Sequence, residues 1–263
     1  YDIIKSIEID SSGNVYTTGY FYGTSDFDPG AGTYNVTSNG GSNDIYISKL
    51  DSSGNFVWAK NLGGSSDDVG YSIKVDSSGG VYTTGYFKGT ADFDPGIGTY
   101  DPTSAGGSSG TDVFISKLDS AGDFVWANNI GGTDSNTAYS MDIDSSNNIY
   151  INGSFYLITD FDIGAGTYDL ASNNDSEDVF VLKLSQLSTP TTTTTSSSSI
   201  TTTTATLTGN ITDTGGEANT IRGFDIGTDN TYTMTDITES GSYSSGSYSL
   251  TATGLTCNTT YHY

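Results

Sequence analysis

The sequence has very few residues of the kinds that build most active sites. It contains one histidine, His262, and one cysteine, Cys257, in 263 residues. A Ser-His-Asp or Cys-His catalytic set is therefore restricted to the last few residues, and a zinc site made of several His and Cys side chains is excluded within one copy of the chain. A single cysteine also excludes a disulfide bond within this segment. We therefore expect no enzymatic activity.

Basic residues are scarce as well. Eight Lys and Arg stand against 31 Asp and Glu, which gives a formal net charge of −23. Such a surface repels nucleic acids and anionic membranes and attracts cations. No apolar run approaches the length of about 18 residues that a membrane-spanning helix needs. The sequence thus predicts no nucleic-acid partner and no membrane insertion in this segment.

The residues that are abundant are those of β-proteins with many tight turns. Glycine occurs 34 times and tyrosine 19 times, and Ser, Thr, Asn and Asp separate short apolar runs. β-Branched and aromatic residues favour strands, and Gly, Asn and Asp favour turns. We find no stretch with the helical apolar spacing of about 3.6 residues. These features predict an all-β fold with almost no helix.

The sequence repeats itself with a period of about 66 residues. "DSSGNVYTTGYF" (10–21) returns as "DSSGGVYTTGYF" (76–87) and as "DSSNNIYINGSF" (144–155). "DIYISKLDSSGNFVWAKNLGG" (44–64) returns as "DVFISKLDSAGDFVWANNIGG" (112–132), and a third copy begins as "DVFVLKLSQ" (178–186) and stops. About three repeats are therefore present, and the third lacks its Trp-bearing segment.

Each repeat predicts four strands. In the second repeat the first strand places Tyr71, Ile73 and Val75 on one face, because side chains alternate along a strand. Asp-Ser-Ser-Gly turns join the strands, with the Asp side chain capping the turn and Gly or Asn taking the residue with positive φ. A repeated four-stranded meander is the blade of a β-propeller.

Residues 56–87 carry a specific resemblance. "FVWAKNL" followed by "GGSSDDVGYSIKVDSSGGVYTTGYF" resembles the bacterial SBBP-type β-propeller repeat, with its Trp, Gly-Gly, Asp-Asp and D-x-x-G-N-V-Y-x-x-G elements. The resemblance extends over about residues 1–186. It implies a secreted or cell-surface bacterial protein, but a fold alone does not fix a function.

A second domain follows the repeats. The Thr/Ser-rich tract after Pro190 is typical of a linker, although β-branched threonine also favours strands. Leu255 followed by Tyr261 resembles the strand end and tyrosine corner of a fibronectin type III-like sandwich. On this interpretation much of the Thr tract is the first strand, and the sandwich is incomplete. We expect repeats over 1–187, with blades at roughly 1–64, 65–132 and 133–187, and a sandwich over 188–263.

The motif "GTADFDPGIGTY" (89–100) occurs in three variants, one in each repeat. On an extended backbone its two aspartates point the same way and its Phe points to the core. Paired carboxylates suit calcium, which takes six to eight oxygen ligands. The alternative is that the aspartates only cap the turn. The candidate calcium ligands are Asp26, Asp28, Asp92, Asp94, Asp160 and Asp162.

These features favour a non-enzymatic structural or adhesive protein of the cell surface or extracellular space, such as a subunit of a filament or matrix. Unpaired strand edges and uncovered blade faces must be covered by more of the same polypeptide or by another copy of the chain. We therefore expect other copies of itself or other surface proteins as partners. The alternative is a carbohydrate-binding module of a larger secreted enzyme. Its glycans would stack on aromatic side chains, although alternating aromatics in strands also serve in packing between blades. The candidate residues are Tyr20, Phe21, Tyr34, Tyr86, Phe87, Tyr100 and Tyr168.

Overall fold

The computed structural model describes residues 2–107, 109–164, 166–185, 191–213, 219–229 and 235–263. Strands form nearly all of the regular structure in these residues, and the helical part is one 3-10 turn at Asn173–Asp175. The all-β fold is therefore confirmed. The chain divides into two compact units, Tyr1–Leu184 and Ser185–Tyr263. The domain boundary expected at 187/188 falls within residues 186–190, which lie outside the described residues.

The first unit contains the three repeats. The strands of the first repeat are β1 (Ile3–Ile9), β2 (Val15–Tyr22), β3 (Thr24–Asp26), β4 (Asn35–Thr37), β5 (Asn43–Leu50) and β6 (Phe56–Gly64). Those of the second are β7 (Val69–Val75), β8 (Val81–Phe87), β9 (Ala91–Asp92), β10 (Asp112–Leu118) and β11 (Phe124–Gly132). Those of the third are β12 (Asn136–Ile143), β13 (Ile149–Phe155), β14 (Ile158–Asp160), β15 (Asp169–Ala171) and β16 (Asp178–Leu184).

The long strands pair in the same antiparallel order in each repeat. The order is β1-β2-β5-β6 in the first repeat and β7-β8-β10-β11 in the second, so each is the four-stranded meander of a propeller blade. The third repeat has the corresponding sheet β12-β13-β16. Within the described residues this sheet has no fourth strand, as the truncated third copy of the motif predicts.

A short pairing links each blade to the next repeat. The end of β6 pairs with β9 at Gly64↔Ala91, and the end of β11 pairs with β14 at Gly132↔Thr159. A Cβ on Gly64 would overlap the carbonyl oxygen of Thr90, and the same holds at Gly132 in the next repeat. We call these two pairings the inter-repeat clasps. The second glycine of each Gly-Gly pair is therefore required by the close approach of a neighbouring backbone.

The first strand of each repeat is irregular. The register of β7 shifts at Tyr71, and β1 and β12 shift at the equivalent position. This shift breaks the alternation that placed Tyr71, Ile73 and Val75 on one buried face. Ile73 is fully buried, but Tyr71 and Val75 are only half-buried. Tyr71 packs instead edge-on against Tyr139 of the third repeat. A bulge of this kind re-aims a side chain in a way that the sequence pattern does not reveal.

The core of the first unit lies between neighbouring repeats. One cluster contains Ile47 of the first repeat and Ile73 of the second. A second cluster contains Ile115 of the second repeat and Met141 of the third. Each blade therefore depends on the next one to cover its apolar face, as expected for a repeat architecture.

The second unit consists of two small sheets around a separate core. Its strands are β17 (Thr191–Ser198), β18 (Thr204–Asp213), β19 (Asn219–Ile226), β20 (Thr235–Tyr243) and β21 (Gly246–Thr253). One sheet has the order β17-β18-β21 and the other pairs β19 with β20. Leu207 and Phe224 belong to the cluster of buried side chains that the sheets share. The Thr/Ser tract thus forms a strand, as expected for much of it.

Within the described residues, no helix is long and apolar enough to cross a membrane.

Candidate functional site

The three loops that carry the paired aspartates have one shared backbone geometry. Each follows the second strand of its repeat, and the Phe between the two aspartates donates its N–H to the carbonyl of the loop tyrosine, at 3.0 Å in all three repeats. The Phe side chain points inward, as predicted. Phe93 is fully buried and packs edge-on against Phe87 at 5.4 Å, and Phe161 packs in the same way against Phe155. The Phe therefore anchors the loop to its blade.

Both aspartates of a pair accept hydrogen bonds from the backbone of their own loop. In the second repeat, Asp92 Oδ1 accepts from the N–H groups of Asp94 (2.9 Å) and Tyr100 (3.0 Å), and Asp94 Oδ1 accepts from Gly96 (2.8 Å). The pairs Asp26/Asp28 and Asp160/Asp162 make the same three bonds. The third loop keeps this geometry although Ile163 replaces the proline.

The carboxylate of the second aspartate explains why the loop contains glycine. A Cβ on Gly98 would overlap Asp94 Oδ2, and Gly32 and Gly166 stand in the same relation to Asp28 and Asp162. The carboxylate therefore folds over a backbone that has no side chain. Turn capping accounts for the D-x-D-x-G-x-G spacing without a ligand.

Calcium binding at these loops stays a prediction. Each loop contains two aspartates, and within the described residues no group of three or more His, Cys, Asp or Glu side chains could hold a metal ion. A calcium ion would therefore need backbone carbonyls and water for most of its six to eight ligands. The hydrogen bond from the Tyr168 N–H lowers the pKa of Asp160, which keeps this carboxylate charged.

The Asp-Ser-Ser-Gly turns also contain capped aspartates. Asp51 Oδ1 accepts from the N–H groups of Ser53 and Asn55, both at 2.8 Å, and Asn55 also donates through its side chain. The Asn55 hydrogen bonds hold the pKa of Asp51 below its usual value. The predicted capping of the turn by an Asp side chain is therefore confirmed at Asp51.

Most of the aromatic side chains that could stack on sugars are used in packing. Tyr34 lies against Phe56 with ring centroids 4.6 Å apart, and Tyr100 lies against Phe124 at 5.4 Å. Both partners belong to the fourth strand of a blade. Tyr168 occupies the equivalent loop of the third repeat, where the described residues form no fourth strand, and it is 65% exposed. Glycan binding stays a prediction, and Tyr168 is the residue at which to test it.

The sequence analysis did not predict buried carboxylates at the start of the third strand of the first and second blades. Asp44 and Asp112 are fully buried, as is Asp68, which directly precedes β7 in the second repeat. Asp44 Oδ2 accepts from the Asn39 N–H (2.7 Å) and from Asn61 Nδ2 (3.2 Å). In the described structure, Oδ1 of Asp44 and Oδ1 of Asp112 have no hydrogen-bond partner.

Asp68 connects two repeats. Its Oδ2 accepts from the Gly64 N–H (2.8 Å) at the end of the first blade, and its Oδ1 accepts from the Lys88 N–H (2.9 Å) at the end of β8. Burial raises the pKa of Asp44 to about 7 and that of Asp68 to about 8. The nearby Asp44 charge adds to the shift at Asp68. The Asp-Asp element of the repeat is the signal that could have identified this residue.

The two end faces of the first unit were predicted only in general terms, and the structure names their residues. Val179 and Val181 on β16 are 85% and 82% exposed, whereas Val113 and Ile115, at the same positions of the second repeat, are completely buried. We call the surface formed by Val179 and Val181 the downstream face. These valines have the residue type and position of core side chains, and they face no further blade within the described residues.

The opposite face lies on β1. Ile7 is 60% exposed, although Ile73 and Met141 at the same position of the next two repeats are 0% and 3% exposed. We call this surface the upstream face. A polar contact accompanies the same junctions, because the N–H of Ile73 donates to Ser6 Oγ (3.4 Å) and that of Met141 donates to Ser72 Oγ (3.1 Å). The two faces of the unit are thus the two halves of one repeated contact.

The residues considered for catalysis lie in the second unit. Cys257 is exposed, and His262 forms an isolated backbone bridge with Gly227. The absence of enzymatic activity stays a prediction. In the same unit the Thr256 N–H donates to the Tyr261 hydroxyl at 2.8 Å, which is the type of contact expected of a tyrosine corner.

Comparison with known proteins agrees with the blade architecture. Residues 57–89 match the SBBP beta-propeller repeat. The matched residues run from the fourth strand of the first blade through β7 and β8, and they include the Gly63-Gly64 pair and Asp68.

Two relatives extend the similarity. The chain is 28% identical over 211 residues to the uncharacterized WD repeat-containing protein L264 of Acanthamoeba polyphaga mimivirus, which covers 75% of this chain and 14% of that protein. It is also 28% identical over 113 residues to the regulatory protein FlaEY of Caulobacter vibrioides, which covers 43% of this chain and 12% of that protein. The chain thus spans only about a seventh or less of the length of each relative. The chain is a repeat-containing, β-propeller-like protein.

Proposed function

We propose that this chain is a non-enzymatic structural and adhesive scaffold of the cell surface or extracellular space, in which blades join through the upstream and downstream faces. The observation that carries the proposal is the contrast between Val179 and Val181, which are exposed, and their completely buried counterparts in the second repeat. Fully burying a valine side chain contributes roughly 1.5 to 3 kcal/mol. Exposing these side chains is therefore unfavourable unless another blade covers them.

The occupant of each face is a blade of the same kind. The internal junctions supply the reason, since each pairs a Val/Ile face with the first strand of the next repeat and adds the Ser Oγ contact. Ser140 is the next serine in this series, and it is exposed beside the downstream face. In a solution of the chain alone, the upstream face of a second copy offers the matching surface, and head-to-tail joining of this kind gives a closed ring if the rotation between blades closes and an open filament if it does not.

The extracellular setting is supported by the resemblance to secreted SBBP proteins and by the acidic surface, which disfavours nucleic acids. The second unit is proposed as a fibronectin type III-like module. Its sheets β17-β18-β21 and β19-β20, the bridge between Gly227 and His262, and the Thr256–Tyr261 hydrogen bond support that assignment. Many cell-surface domains share this sandwich architecture.

The test is the mass of the chain in solution, measured by sedimentation velocity over a range of concentrations. We expect the wild-type chain to self-associate and the Val179→Asp/Val181→Asp variant to shift to monomer. Val57→Asp/Val125→Asp is the matched control, because these valines are exposed on fourth strands away from the end faces, and it should associate like wild type. A well-folded wild-type chain that stays monomeric at the highest concentration would contradict the proposal.

A further inference from the structure

Two buried carboxyl groups meet at the junction between the first and second repeats. A Cβ placed on Gly63 would lie 2.8 Å from Asp68 Oδ2 and 3.0 Å from Asp44 Oδ1, so both oxygens face the same small space beside this glycine. Both residues are fully buried. Four backbone or amide donors serve three of the four carboxyl oxygens, and Asp44 Oδ1 has no partner among the described residues.

Two negative charges in this position would be very unfavourable. Removing a carboxylate from water costs several kcal/mol even after the protein relaxes. The described ion pairs include none that involves Asp44 or Asp68. The charges that surround the pair do not compensate it, because Asp67 is acidic and Lys88 contributes its backbone N–H to Asp68. Burial is the main cause that raises the pKa of the nearby Tyr86, and the charges of Asp67 and Asp68 add to the shift.

The next junction provides a natural comparison. Asn136 stands where the first junction has Asp68, and it is also buried. Its amide donates to the carbonyls of Thr111 (3.3 Å) and Asp134 (3.0 Å) and accepts from Thr159 Oγ1 (2.6 Å). A neutral amide therefore occupies the equivalent position at the second junction, with partners that differ from those of Asp68. It has the shape of a protonated carboxyl group, so the site accepts an uncharged side chain.

We propose that Asp44 and Asp68 share one proton, held between Asp44 Oδ1 and Asp68 Oδ2, and that loss of this proton at alkaline pH weakens the junction between the first and second repeats. Asp44 Oδ1 is the carboxyl oxygen that no donor serves, and as a hydroxyl it donates toward Asp68. The second junction, with Asp112 and the neutral Asn136, lacks the second acid and is less sensitive to alkaline pH.

The direction of the pH dependence follows from the raised pKa values. The folded chain keeps the proton at pH values where an unfolded aspartate, with its ordinary pKa near 3.8, has lost it. Stability from the pair is therefore fully present below about pH 3.8 and is lost progressively as the pH rises from there to about 7 to 8. Each extra proton held by the folded state raises the unfolding constant about tenfold per pH unit in that range. At the second junction this range ends near the pKa of Asp112, which burial raises to about 6.

The experiment measures urea unfolding of the full chain by tryptophan fluorescence from about pH 5.5 to about pH 9. We expect the ratio of the wild-type to the Asp68→Asn unfolding constant to increase about tenfold per pH unit between about pH 6 and pH 8. For Asp112→Asn, the matched control, the ratio should level off above about pH 6. If Asp68→Asn does not fold, Asp44→Asn takes its place with the same expected ratio.

Two outcomes overturn the proposal. One is a wild-type to Asp68→Asn ratio that does not change with pH. The other is a calcium effect that depends on Asp68: if millimolar calcium stabilises the wild type at about pH 8 but not the variant, a cation and not a proton neutralises the pair. If calcium stabilises both proteins equally, it acts at the aspartate loops and not at the pair. The pH dependence of the ratio of unfolding constants then tests the proposal.

Discussion

The inter-repeat clasp makes a sharp prediction for the second glycine of each Gly-Gly pair. In Gly64→Ala the new Cβ meets the carbonyl of Thr90, which is backbone and cannot rotate away. The pairing of β6 with β9 must then open or shift. Gly132→Ala places the same atom against the carbonyl of Ile158 in the second clasp, so the two variants are independent tests of one mechanism.

The size of the effect follows from what the clasp contains. It pairs two residues on each strand, Gly63↔Asp92 and Gly64↔Ala91. Losing about two net hydrogen bonds costs about 0.5 to 1.5 kcal/mol each. Crowding in a packed region adds about 1 to 3 kcal/mol. The lower entropy of an unfolded chain with alanine returns up to about 1 kcal/mol. We therefore expect each variant to lower the free energy of unfolding by about 1 to 6 kcal/mol.

The assay is urea unfolding followed by tryptophan fluorescence. The two tryptophans, Trp58 and Trp126, both lie on fourth strands of the first unit, so the signal reports on the blades and not on the second unit. Ser65→Ala is the matched control, because Ser65 is the exposed neighbour of Gly64. A Gly64→Ala variant within about 0.5 kcal/mol of wild type, the usual range for surface substitutions, would refute the clasp as the reason for the Gly-Gly pair.

Three further expectations concern single features. If the aspartate loops bind calcium, the melting temperature in millimolar calcium exceeds that in chelator; equal values leave turn capping as their role. Phe93→Ala should lower the free energy of unfolding by about 3 to 5 kcal/mol, and Phe27→Ala should lower it clearly less because Phe27 is only half-buried; equal losses in urea unfolding would contradict the anchor role. Tyr261→Phe should lower the free energy of unfolding of the second unit by about 1 kcal/mol; an unchanged value would show that the hydrogen bond from Thr256 does not stabilise this unit.

The sequence predicted the long strands well because local pattern and tertiary role agree there. The segments "VYTTGYF" (81–87), "DVFISKL" (112–118) and "TATLTGNITD" (204–213), which are rich in β-branched residues, form β8, β10 and β18. The short strands β9 and β14 could not be predicted, because two or three residues carry no periodic signal and their pairing depends on the next repeat. Strand β20 was missed because its sequence, "TDITESGSY", has few apolar residues.

The candidate site was predictable in part. The sequence identified the loop aspartates, the turn chemistry and the inward Phe, since each depends on residues close in the chain. It did not reveal the buried Asp44–Asp68 pair, because an aspartate at a strand start is normally a solvated cap, and only the stacking of two blades removes it from water. The sequence also predicted uncovered blade faces, but it did not show which side chains form them. Val179 and Val181 resemble their buried counterparts in residue type and position and differ in that no further blade covers them within the described residues.

The central claim is that the downstream face of one chain receives the upstream face of another blade. The most direct measurement is cross-linking with a short thiol-reactive reagent in a Cys257→Ser background. The internal junction places the Ser72 side chain beside Met141, so Ser140→Cys on one chain should lie beside Ile7→Cys on another. Ser72→Cys/Met141→Cys in one chain is the positive control, and Val57→Cys mixed with Ile7→Cys is the negative control.

We expect cross-linked dimers that contain one chain of each kind when the Ser140→Cys and Ile7→Cys proteins are mixed, and an intrachain product from the positive control. If the positive control reacts and the mixed chains stay monomeric, the two faces do not join, and the account of this protein as a blade-stacking scaffold is wrong.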